Sequence, residues 1–419
     1  MITTSPKLPK PQKPHKPLSF AGTGTRITVG IDATNIRIGG GITHLLELIN
    51  ALDPESMQVE KIIIWGGPQA LSCLPNAPWL EKINPSSLNR GLIYRVAWQI
   101  FALSKAVKES NCDVLLVPGG SYVGSFHPVV TMSQNLFPFE WSMIARTGFS
   151  MRSLKFILLR WAQSFSFMRS DGIIFLTQYA QKAVLKVTRP LTAVQTVIAH
   201  GLNPRFEYSP KPQREIASYS IDNPFHLLYV STIDVYKNQV QVAHAVGRLR
   251  NKGYPLALTF IGPNVKIALL ELQQAQALLD PQGRWLKYLG ELPYASLDLE
   301  YQKADLGVFA SSCETFGMTA LEKMSAGLPI ACSNQSSMNE ILASGGLYFD
   351  PTDVSSIANT IEKFLVSPAL REEKQREAHT LAKQYSWSIC AQKTMAFLHT
   401  VTRNYSKSNF KINSAQHSE

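Results

Sequence analysis

Short apolar runs recur along the chain, each bounded by glycine, proline, serine, asparagine or aspartate. Runs of about four to eight such residues are typical of buried β-strands. They predict strands at 26–32, 61–65, 113–117, 128–132 and 172–176, and again at 226–230, 256–261 and 306–310. Longer amphipathic stretches such as 43–52 and 92–109 predict helices between them. This alternation predicts an α/β protein built on parallel sheets.

One stretch concentrates features of a ligand site: residues 305–329, DLGVFASSCETFGMTALEKMSAGLP. The pattern predicts a strand at 306–310, a polar loop at 311–315 and a helix at 316–326, with Gly327 as the stop and Pro329 blocking continuation. A strand that leads through small residues into a helix directs free backbone N–H groups beyond the sheet edge. This arrangement favours an anionic ligand.

Two carboxylates frame that helix start, because Glu314 precedes it and Glu322 lies eight positions later. One can reach hydroxyl groups of a ligand at the loop, and the other can accept from a second part of the same ligand. Thr319 and Glu322 also match a capping box, in which Glu322 has only a structural role. The spacing alone leaves both interpretations open.

The stretch from Glu314 to Glu322, ETFGMTALE, resembles the E-x7-E signature of the family 4 retaining glycosyltransferases, which have the GT-B fold. Further segments follow the order of that family: GELP from Gly290, ADL from Ala304, MSAGLP from Met324, NE from Asn339 and LYFDP from Leu347. The resemblance is close over roughly residues 222–385 and loose before them. It implies two Rossmann-like domains facing a central cleft and an enzyme of the bacterial cell-surface polysaccharide type.

The length of 419 residues suits two domains. We expect a disordered leader at 1–25, an acceptor-side domain at 26–204, a linker at 205–224 and a donor-binding domain at 225–385. A C-terminal helix at 386–403 is expected to cross back onto the first domain, followed by a frayed tail at 404–419. The leader is rich in proline and lysine and lacks the apolar core of a signal peptide.

The resemblance also implies roles for individual residues. Lys237 would stabilise the departing diphosphate, although Thr232 stands where the family usually has a partnering arginine. Either Lys237 together with the helix N-terminus at Phe316 suffices, or another cation such as Arg205 or Lys323 contributes. Glu314 would bind sugar hydroxyls and Glu322 the ribose. The remaining donor-binding residues are expected to be Gly40, Gly41, Leu292, Phe316, Gly317, Met318 and Thr319, together with Thr232.

Asn135 and His200 are the expected acceptor-side residues. Asn135 lies in an N-x-x-P-F-E segment, which relatives acting on cell-surface polysaccharides often show. Many other members have a histidine near this point, where this chain has Ser133, Gln134 and Asn135, so that a catalytic histidine is not predicted here. A sugar contact and a structural turn remain alternatives for Asn135. His200 precedes Gly201 as in the strand-then-HG turn of the family, and an isolated buried histidine is the alternative.

The implied cofactor set is empty: a nucleotide diphosphate sugar is a co-substrate, and no Asp-x-Asp metal motif is present. The partners expected are that nucleotide sugar, a glycan or lipid-linked acceptor and an anionic membrane surface. Five scattered cysteines without a C-x-x-C pair argue for a reducing compartment. The expected location is cytoplasmic, with a peripheral position on the inner face of the membrane.

The net charge of +11 lies mostly in the first half, because residues 1–204 carry 20 Lys and Arg against 10 Asp and Glu. This asymmetry indicates an anionic partner. The basic residues are dispersed and no nucleic-acid motif accompanies them, so nucleic acid is not expected. Residues 151–170, MRSLKFILLRWAQSFSFMRS, predict a basic amphipathic helix for the membrane interface. A core helix packed against the sheet explains the pattern equally well.

Together these features predict a retaining, metal-independent glycosyltransferase that transfers a sugar to a hydroxyl of a glycan or lipid-linked glycan. The alternative is a sugar-nucleotide-binding or scaffold subunit with weak catalysis, which the threonine at 232 leaves open. A GT-B epimerase is a second enzyme alternative that would need additional active-site carboxylates.

Overall fold

The computed structural model describes residues 25–37, 39–146 and 151–416, so the predicted leader lies almost entirely outside the described residues. The chain divides into two compact units. The N-terminal unit comprises the described residues up to 203, Cys313–Met318 and the residues from Tyr385 onward. The C-terminal unit comprises Pro204–Ser312 and Thr319–Gln384.

The N-terminal unit is built on a seven-stranded sheet in the order β3-β2-β1-β4-β5-β6-β7, with every ladder parallel. Its strands are β1 Ile27–Ala33, β2 Val59–Gly66, β3 Leu80–Ile83, β4 Val114–Val117, β5 Val129–Ser133, β6 Gly172–Phe175 and β7 Val194–Val197. Its helices are α1 Gly40–Asn50, α2 Pro68–Ser72, α3 Leu92–Trp98, α4 Ser104–Glu109, α5 Trp141–Arg146, α6 Met151–Arg169, α7 Gln178–Leu185 and, at the end of the chain, α15 Trp387–Gln416. The π-helical turn Gln99–Leu103 joins α3 to α4.

The C-terminal unit has a six-stranded sheet in the order β10-β9-β8-β11-β12-β13, again parallel throughout. Its strands are β8 Phe225–Val230, β9 Leu256–Ile261, β10 Leu286–Tyr288, β11 Leu306–Phe309, β12 Ile330–Ser333 and β13 Leu347–Phe349. Its helices are α8 Gln239–Asn251, α9 Lys266–Leu279, α10 Leu297–Lys303, α11 Met318–Ser325, α12 Met338–Ile341, α13 Val354–Leu365 and α14 Pro368–Ala382.

The central strands of both sheets are buried, because they are continuous apolar runs. The four residues of β11 are all buried, and so are those of β4. Each unit thus has the Rossmann-like architecture that the alternating pattern predicts, and this part of the predicted fold class is confirmed.

The residues predicted as a linker pack within the C-terminal unit instead of bridging loosely. Tyr208 N donates to Ser325 O at 3.1 Å, and the buried Arg371 in α14 donates through Nε to Gln213 Oε1 at 2.9 Å. A Cβ on Gly327 would lie 2.7 Å from Pro210 Cα, so this segment is in direct contact with the end of α11. Polar composition alone did not reveal these tertiary contacts.

The C-terminal helix α15 belongs to the N-terminal unit and runs to Gln416, well beyond the frayed tail expected from residue 404. Its serine and threonine side chains bond back to carbonyls four residues earlier: Thr402 to Leu398 O, Ser406 to Thr402 O and Ser408 to Asn404 O. These hydroxyls therefore bond to carbonyl groups within the helix itself.

Helix α6 has one buried side and one exposed side. Its buried residues are Ser153, Gln163, Ser166 and Phe167, whereas Met151, Leu158 and Trp161 are 80%, 60% and 74% exposed. The helix packs on the sheet through Phe167, whose ring centroid lies 6.5 Å from that of Phe175 in β6, and it exposes other large apolar residues on its outer side. No helix among the described residues combines the length and the apolar character needed to cross a membrane.

Candidate functional site

The C-terminal sheet has a topological switch point between β8 and β11, because the strand order runs away in opposite directions from these two neighbours. Open α/β sheets bind ligands in the crevice outside the carboxyl ends of such strands. The segment with Thr232 and Lys237 follows β8, and the signature loop, residues 310–317, follows β11. The fold thus brings two sequence-predicted segments to one edge.

The segment after β8 is tied to the start of the signature loop. The Asp234 carboxylate accepts from Val235 N at 2.8 Å and begins a 3₁₀ turn that ends at Lys237. Asn238 follows in the left-handed conformation, with φ of 54°, and its Nδ2 donates to Ala310 O at 2.7 Å and Ser312 Oγ at 2.9 Å. These contacts place Lys237 beside the end of β11.

Lys237 is a largely buried cation at this edge, only 8% exposed. Its Nζ lies 4.9 Å from the centroid of the Tyr236 ring and 6.0 Å from that of Phe309. Aromatic faces stabilise an ammonium group that has lost part of its hydration. Thr232 is partly exposed, and its carbonyl accepts from Gln239 Nε2 at 2.9 Å, so the arginine position of the family carries no charge here.

The signature helix α11 begins at Met318, two residues later than predicted, because Gly317 has a φ of +92° that no helix accommodates. Phe316 and Gly317 therefore belong to the loop. The N–H groups of Met318 and Thr319 are in the first turn, where a helix has no internal partners for them. The predicted stop is confirmed: Leu328 N bonds Lys323 O and Gly327 N bonds Met324 O, which is a Schellman motif.

Glu322 is buried within α11 and accepts a hydrogen bond from Tyr301 Oη at 2.7 Å. Burial raises its pKa to about 7, while the Tyr301 hydrogen bond and the charge of Lys323 act in the opposite direction. The capping-box alternative is wrong, because Thr319 is the second residue of the helix and not its N-cap. Contact with ribose remains a prediction for Glu322.

Lys323 follows Glu322 and has no exposed surface. Its Nζ donates to Thr319 O at 3.1 Å and lies 5.5–5.9 Å from the ring centroids of Tyr229, Tyr301 and Phe309. A Cβ on Gly307 would lie 2.8 Å from Lys323 Cδ, so the glycine in β11 provides the space for this side chain. The positive charge of the buried Lys323 thus favours the ionised form of the neighbouring Glu322 carboxyl.

The remaining predicted donor residues have simple positions. Leu292 is partly exposed, two residues after Gly290, whose φ is +73°. Arg205, the other alternative cation, lies with its guanidinium carbon 5.3 Å from the ring centroid of Tyr294. Glu314 is partly exposed in the segment of the signature loop that belongs to the N-terminal unit.

Gly40 and Gly41 form the first turn of α1 and not a loop before it, because Ile42 N and Thr43 N already bond to Gly39 O. Their own N–H groups therefore lie at a helix N-terminus, suited to an anion. A Cβ on Gly40 would lie 3.9 Å from Met318 Sδ, and one on Gly41 would lie 3.8 Å from Gln134 Oε1. The glycines, Met318 and Gln134 are thus neighbours within the N-terminal unit.

Thr315 fixes the signature loop beside Asn135. Its hydroxyl donates to Gln134 O and accepts from Leu136 N, both at 3.0 Å, and its carbonyl accepts from Thr177 Oγ1 at 2.9 Å. The Asn135 Oδ1 accepts from Phe137 N at 3.1 Å, so the turn role is observed. The side chain is still partly exposed, and a sugar contact stays a prediction.

His200 is buried beside a second histidine that the sequence analysis did not single out. The Nδ1 atoms of His200 and His44 are 3.0 Å apart, so one of them donates to the other. Burial lowers the pKa of His44 to about 4 and that of His200 well below its usual value, so both rings are neutral. The His200 ring lies 5.1 Å from Phe316, edge to face, and 5.7 Å from Trp387.

The residues that sequence reasoning missed share one property: their partners are distant along the chain. His44 and His200 are 156 positions apart, and Thr315 bonds to a residue 181 positions away. Tyr301, which donates to Glu322, lies on a different helix. Local patterns carry no signal of this kind, although His44 closely follows the predicted donor-binding residues Gly40 and Gly41.

The two Rossmann-like units, with a switch-point site formed after β8 and β11, define the GT-B class. Solved structures of the same fold include the sucrose-phosphate synthase of Thermosynechococcus elongatus, with a TM-score of 0.72, 15% identity and coverage of 90% of this chain and 100% of that one. The Anabaena protein HepE, solved with UDP and glucose, has a TM-score of 0.67 and 16% identity, over 89% of this chain and 100% of that one.

Residues 213–381 match the family described as Glycosyl transferases group 1, which confirms the resemblance over this part of the chain. The O-antigen chain mannosyltransferase B of Escherichia coli is 30% identical over 45% of this chain and 50% of its own length. A glycogen synthase of Mycobacterium tuberculosis is 26% identical over 55% of each. The chain thus spans about half the length of these curated relatives.

Proposed function

We propose that this protein is a retaining glycosyltransferase that moves a sugar from a nucleotide diphosphate sugar to a hydroxyl of a glycan or lipid-linked glycan. The observation that carries the proposal is the position of Lys237 at the switch point, held by Asn238 against the start of the E-x7-E loop. The group 1 family match and the O-antigen mannosyltransferase relative support a role in cell-surface polysaccharide synthesis.

The reaction requires stabilisation of the negative charge that develops on the departing diphosphate. Lys237 is fixed beside the end of β11, and the N–H groups of Met318 and Thr319 open α11. Preorganised donors of this kind lower a barrier because they need no reorganisation during the reaction. A lysine and a helix terminus would then supply the positive charge without a divalent metal.

The other residues bind and orient the substrates. Glu314 would hold sugar hydroxyls, Glu322 the ribose, and Gly40 with Gly41 the diphosphate from the first turn of α1. Thr232, Leu292, Phe316 and Gly317 would complete the donor site, and Asn135 and His200 the acceptor side. We propose attack by the acceptor hydroxyl on the face from which the leaving group departs, with no protein nucleophile.

A weakly catalytic binding subunit is the second function supported by an observation. Thr232 leaves the arginine position without charge, and the side chains of Arg205 and Lys323 both contact aromatic rings. Under this alternative the protein binds the nucleotide sugar but turns it over slowly. The two functions differ in turnover and not in nucleotide affinity.

The test is a panel of UDP-, GDP- and ADP-sugars, with thermal unfolding and donor hydrolysis measured for each. One nucleotide class should stabilise the protein, by about 2.7 kcal/mol at a ligand concentration 100 times Kd, and should be hydrolysed. Glu314→Gln should abolish hydrolysis, whereas Glu60→Gln, an exposed glutamate of β2, should not. Stabilisation without hydrolysis would favour the binding subunit, and no stabilisation by any nucleotide would contradict both functions.

A further inference from the structure

Two neighbouring regions of the N-terminal unit expose large apolar side chains. On α3 and the following π-helical turn, Ile93 is 83% and Phe101 80% exposed, together with Leu92, Tyr94 and Ile100. On α5 and α6, the exposed residues include Trp141, Met151, Leu154, Ile157, Leu158 and Trp161. We call these side chains the basic apolar surface, together with the basic residues Arg90, Arg152, Lys155, Arg160 and Arg169.

Both regions lie on the same face of the first sheet. The connections from β1 to β2 and from β2 to β3, which contain α1 and α2, run along the sheet in one direction. The connections from β3 to β4 and from β5 to β6, which contain α3 with α4 and α5 with α6, run in the opposite direction. Right-handed crossovers therefore place these helices on the face opposite α1 and α2. Tyr122 joins them: its hydroxyl lies 3.4 Å from Ser104 Oγ in α4, and its N–H donates to Ser166 Oγ in α6 at 2.9 Å.

The polarity of α6 is the reverse of that of an ordinary surface helix. Three of its four buried residues are polar: Ser153, Gln163 and Ser166. Its exposed positions carry leucine, isoleucine, methionine and tryptophan. A soluble helix normally faces its apolar stripe to the core. An inverted helix of this type requires an apolar or interfacial environment on its outer side.

The positive charge of this surface indicates which kind of partner binds there. No aspartate or glutamate occurs from residue 82 to 108 or from 141 to 170. Helix α6 carries Arg152, Lys155, Arg160 and Arg169. Guanidinium carbons lie 4.1 Å from the ring centroid of Trp141 for Arg160 and 5.1 Å from that of Tyr94 for Arg90. Basic and aromatic side chains around an apolar patch match the headgroup region of an anionic bilayer.

We propose that the basic apolar surface docks on an anionic lipid bilayer and that α3 contributes to it as much as α6. A second copy of this chain is disfavoured as the occupant, because two surfaces of the same positive charge would meet. The contribution of α3 is not apparent from the sequence, where residues 92–109 form an ordinary crossover helix.

The surface also bears on the acceptor class, and this part rests on the proposed function. Gln99 Nε2 donates to Asp32 Oδ2 at 2.5 Å and Arg95 Nη1 to Thr34 O at 3.4 Å, so the α3 region lies at the carboxyl end of β1. Asn135 follows β5 and His200 follows β7, and in a parallel sheet the carboxyl ends of these strands lie at the same edge as that of β1. A bilayer against α3 therefore adjoins the acceptor-side residues, which favours a lipid-linked acceptor over a free glycan.

The experiment measures co-sedimentation of the full chain with vesicles of phosphatidylglycerol and phosphatidylcholine and with vesicles of phosphatidylcholine alone. The wild type should bind the anionic vesicles. Raising the salt should weaken this binding without abolishing it, because charge is screened and apolar contact is not. Ile93→Ser with Phe101→Ser should weaken partitioning about tenfold or more and leave the salt dependence unchanged. Lys155→Gln with Arg152→Gln should reduce the salt dependence.

A matched control replaces two exposed apolar residues of α9, Ile267 and Leu278, which are 64% and 74% exposed, by serine. This variant should bind like the wild type. Brominated lipids should quench tryptophan fluorescence, and Trp141→Phe with Trp161→Phe should remove most of that quenching. Nucleotide-induced stabilisation and donor hydrolysis should be unchanged in every surface variant, which separates a failure of this proposal from a failure of the proposed function.

Three results would overturn the proposal. The first is that the wild type fails to bind anionic vesicles at low salt. The second is that the α3 double variant binds as tightly as the wild type, which would exclude α3. The third is self-association that rises with protein concentration and is lost in the same variant, which would identify a second copy as the occupant.

Discussion

At the scale of single residues, burial makes the charged groups of this protein informative. Lys237, Glu322 and Lys323 are all less than a tenth exposed, and burying an ionised side chain costs free energy unless partners compensate. The partners are aromatic rings for both lysines, and the Tyr301 hydroxyl with the Lys323 charge for the glutamate. Buried charged groups lower the stability of a fold, and they cluster at functional sites. Their presence at the switch point therefore supports a binding site for a charged ligand there.

Lys237→Ala separates an enzyme from a binding subunit. If Lys237 offsets charge that grows as the sugar bond breaks, its loss should cost about 10²- to 10³-fold in turnover. Donor affinity should fall less, because the N-terminus of α11 still faces the phosphates. Steady-state kinetics and calorimetric titration of the same variant measure both quantities.

The control is Lys266→Ala, an exposed lysine at the start of α9. Its turnover and affinity should match those of the wild type. Equal losses of turnover and affinity in Lys237→Ala would indicate uniform binding, not transition-state stabilisation. No loss in either quantity would remove Lys237 from the site.

Glu322→Gln should weaken binding of the free nucleotide diphosphate, because a hydrogen bond between a carboxylate and ribose hydroxyls contributes roughly 1.5–3 kcal/mol. It should also change the pH dependence of stability. The pKa of Glu322 is raised to about 7, so the folded state binds its proton more tightly than the unfolded state does. The contribution to stability is therefore complete below about pH 4.5 and is lost as the pH rises through 7.

Denaturant unfolding at pH 5 and pH 8 measures this effect. The wild type should lose more stability than Glu322→Gln between these two values, since glutamine does not titrate. If the stability of the wild type and that of the variant depend on pH in the same way, a group other than Glu322 causes the pH dependence. Unchanged nucleotide affinity in the variant would assign Glu322 to structure alone.

At the scale of elements, some helix and strand ends are determined by the local sequence and others by tertiary contacts. The Schellman end of α11 depends only on Gly327 and residues within one turn, and it was predicted. The start of the same helix depends on the backbone of Gly317 and lies two residues from the expected position. The strands β3, β10, β12 and β13 were not predicted. Charged residues interrupt the apolar run of β3 and of β10, and β13 has only three residues.

Gly262→Ala tests the turn that follows β9. Gly262 has a φ of +144°, and a Cβ there would lie 2.2 Å from Ser231 O, at the end of β8. Alanine cannot adopt this conformation or this contact, so we expect a loss of more than about 4 kcal/mol in the free energy of unfolding. Urea unfolding measures it.

Gly283→Ala is the matched control, because Gly283 has a φ of +62° but no atom within 4 Å of the added Cβ. It should cost only the left-handed strain of about 1–2 kcal/mol. Similar losses in the two variants would show that the contact with Ser231 O relaxes readily.

At the scale of the whole molecule, positive charge connects the composition with the proposed chemistry. The net charge is +11, and most of the excess lies in the N-terminal half, which carries the basic apolar surface. The C-terminal unit is nearly balanced in charge yet buries Lys237 and Lys323 at its switch point. Long-range charge can thus attract an anionic partner while the buried lysines act at short range.

The proposed chemistry should proceed without a divalent metal, since Lys237 and the first turn of α11 supply positive charge at the diphosphate. Donor hydrolysis should therefore be unchanged after treatment with EDTA, and added magnesium or manganese should not stimulate it. The measurement is the hydrolysis rate with the stabilising nucleotide sugar, before and after chelation. Activity that disappears with EDTA and returns with either metal would contradict this prediction.

Local sequence specifies those features of this protein that depend on neighbours along the chain. Alternating apolar runs and amphipathic stretches specify strands and helices, because side-chain periodicity is set by local backbone geometry. They predicted the main strands of both sheets, the parallel α/β class and the position of the signature stretch after a buried strand. The pair Glu314 and Glu322 was apparent for the same reason, since the spacing is local.

Tertiary structure alone decided which faces and which partners these elements have. The pattern of α6 fitted either a core helix or a surface helix, because apolar and basic residues occur all around it. In the structure Ser166 and Phe167 face the core and Leu158 and Trp161 do not, which the pattern did not indicate. The His44–His200 pair, the Thr315 contacts and the hydrogen bond from Tyr301 to Glu322 join residues that are distant along the chain or on different elements. Such contacts arise when strands assemble side by side, and no single segment contains the information that specifies them.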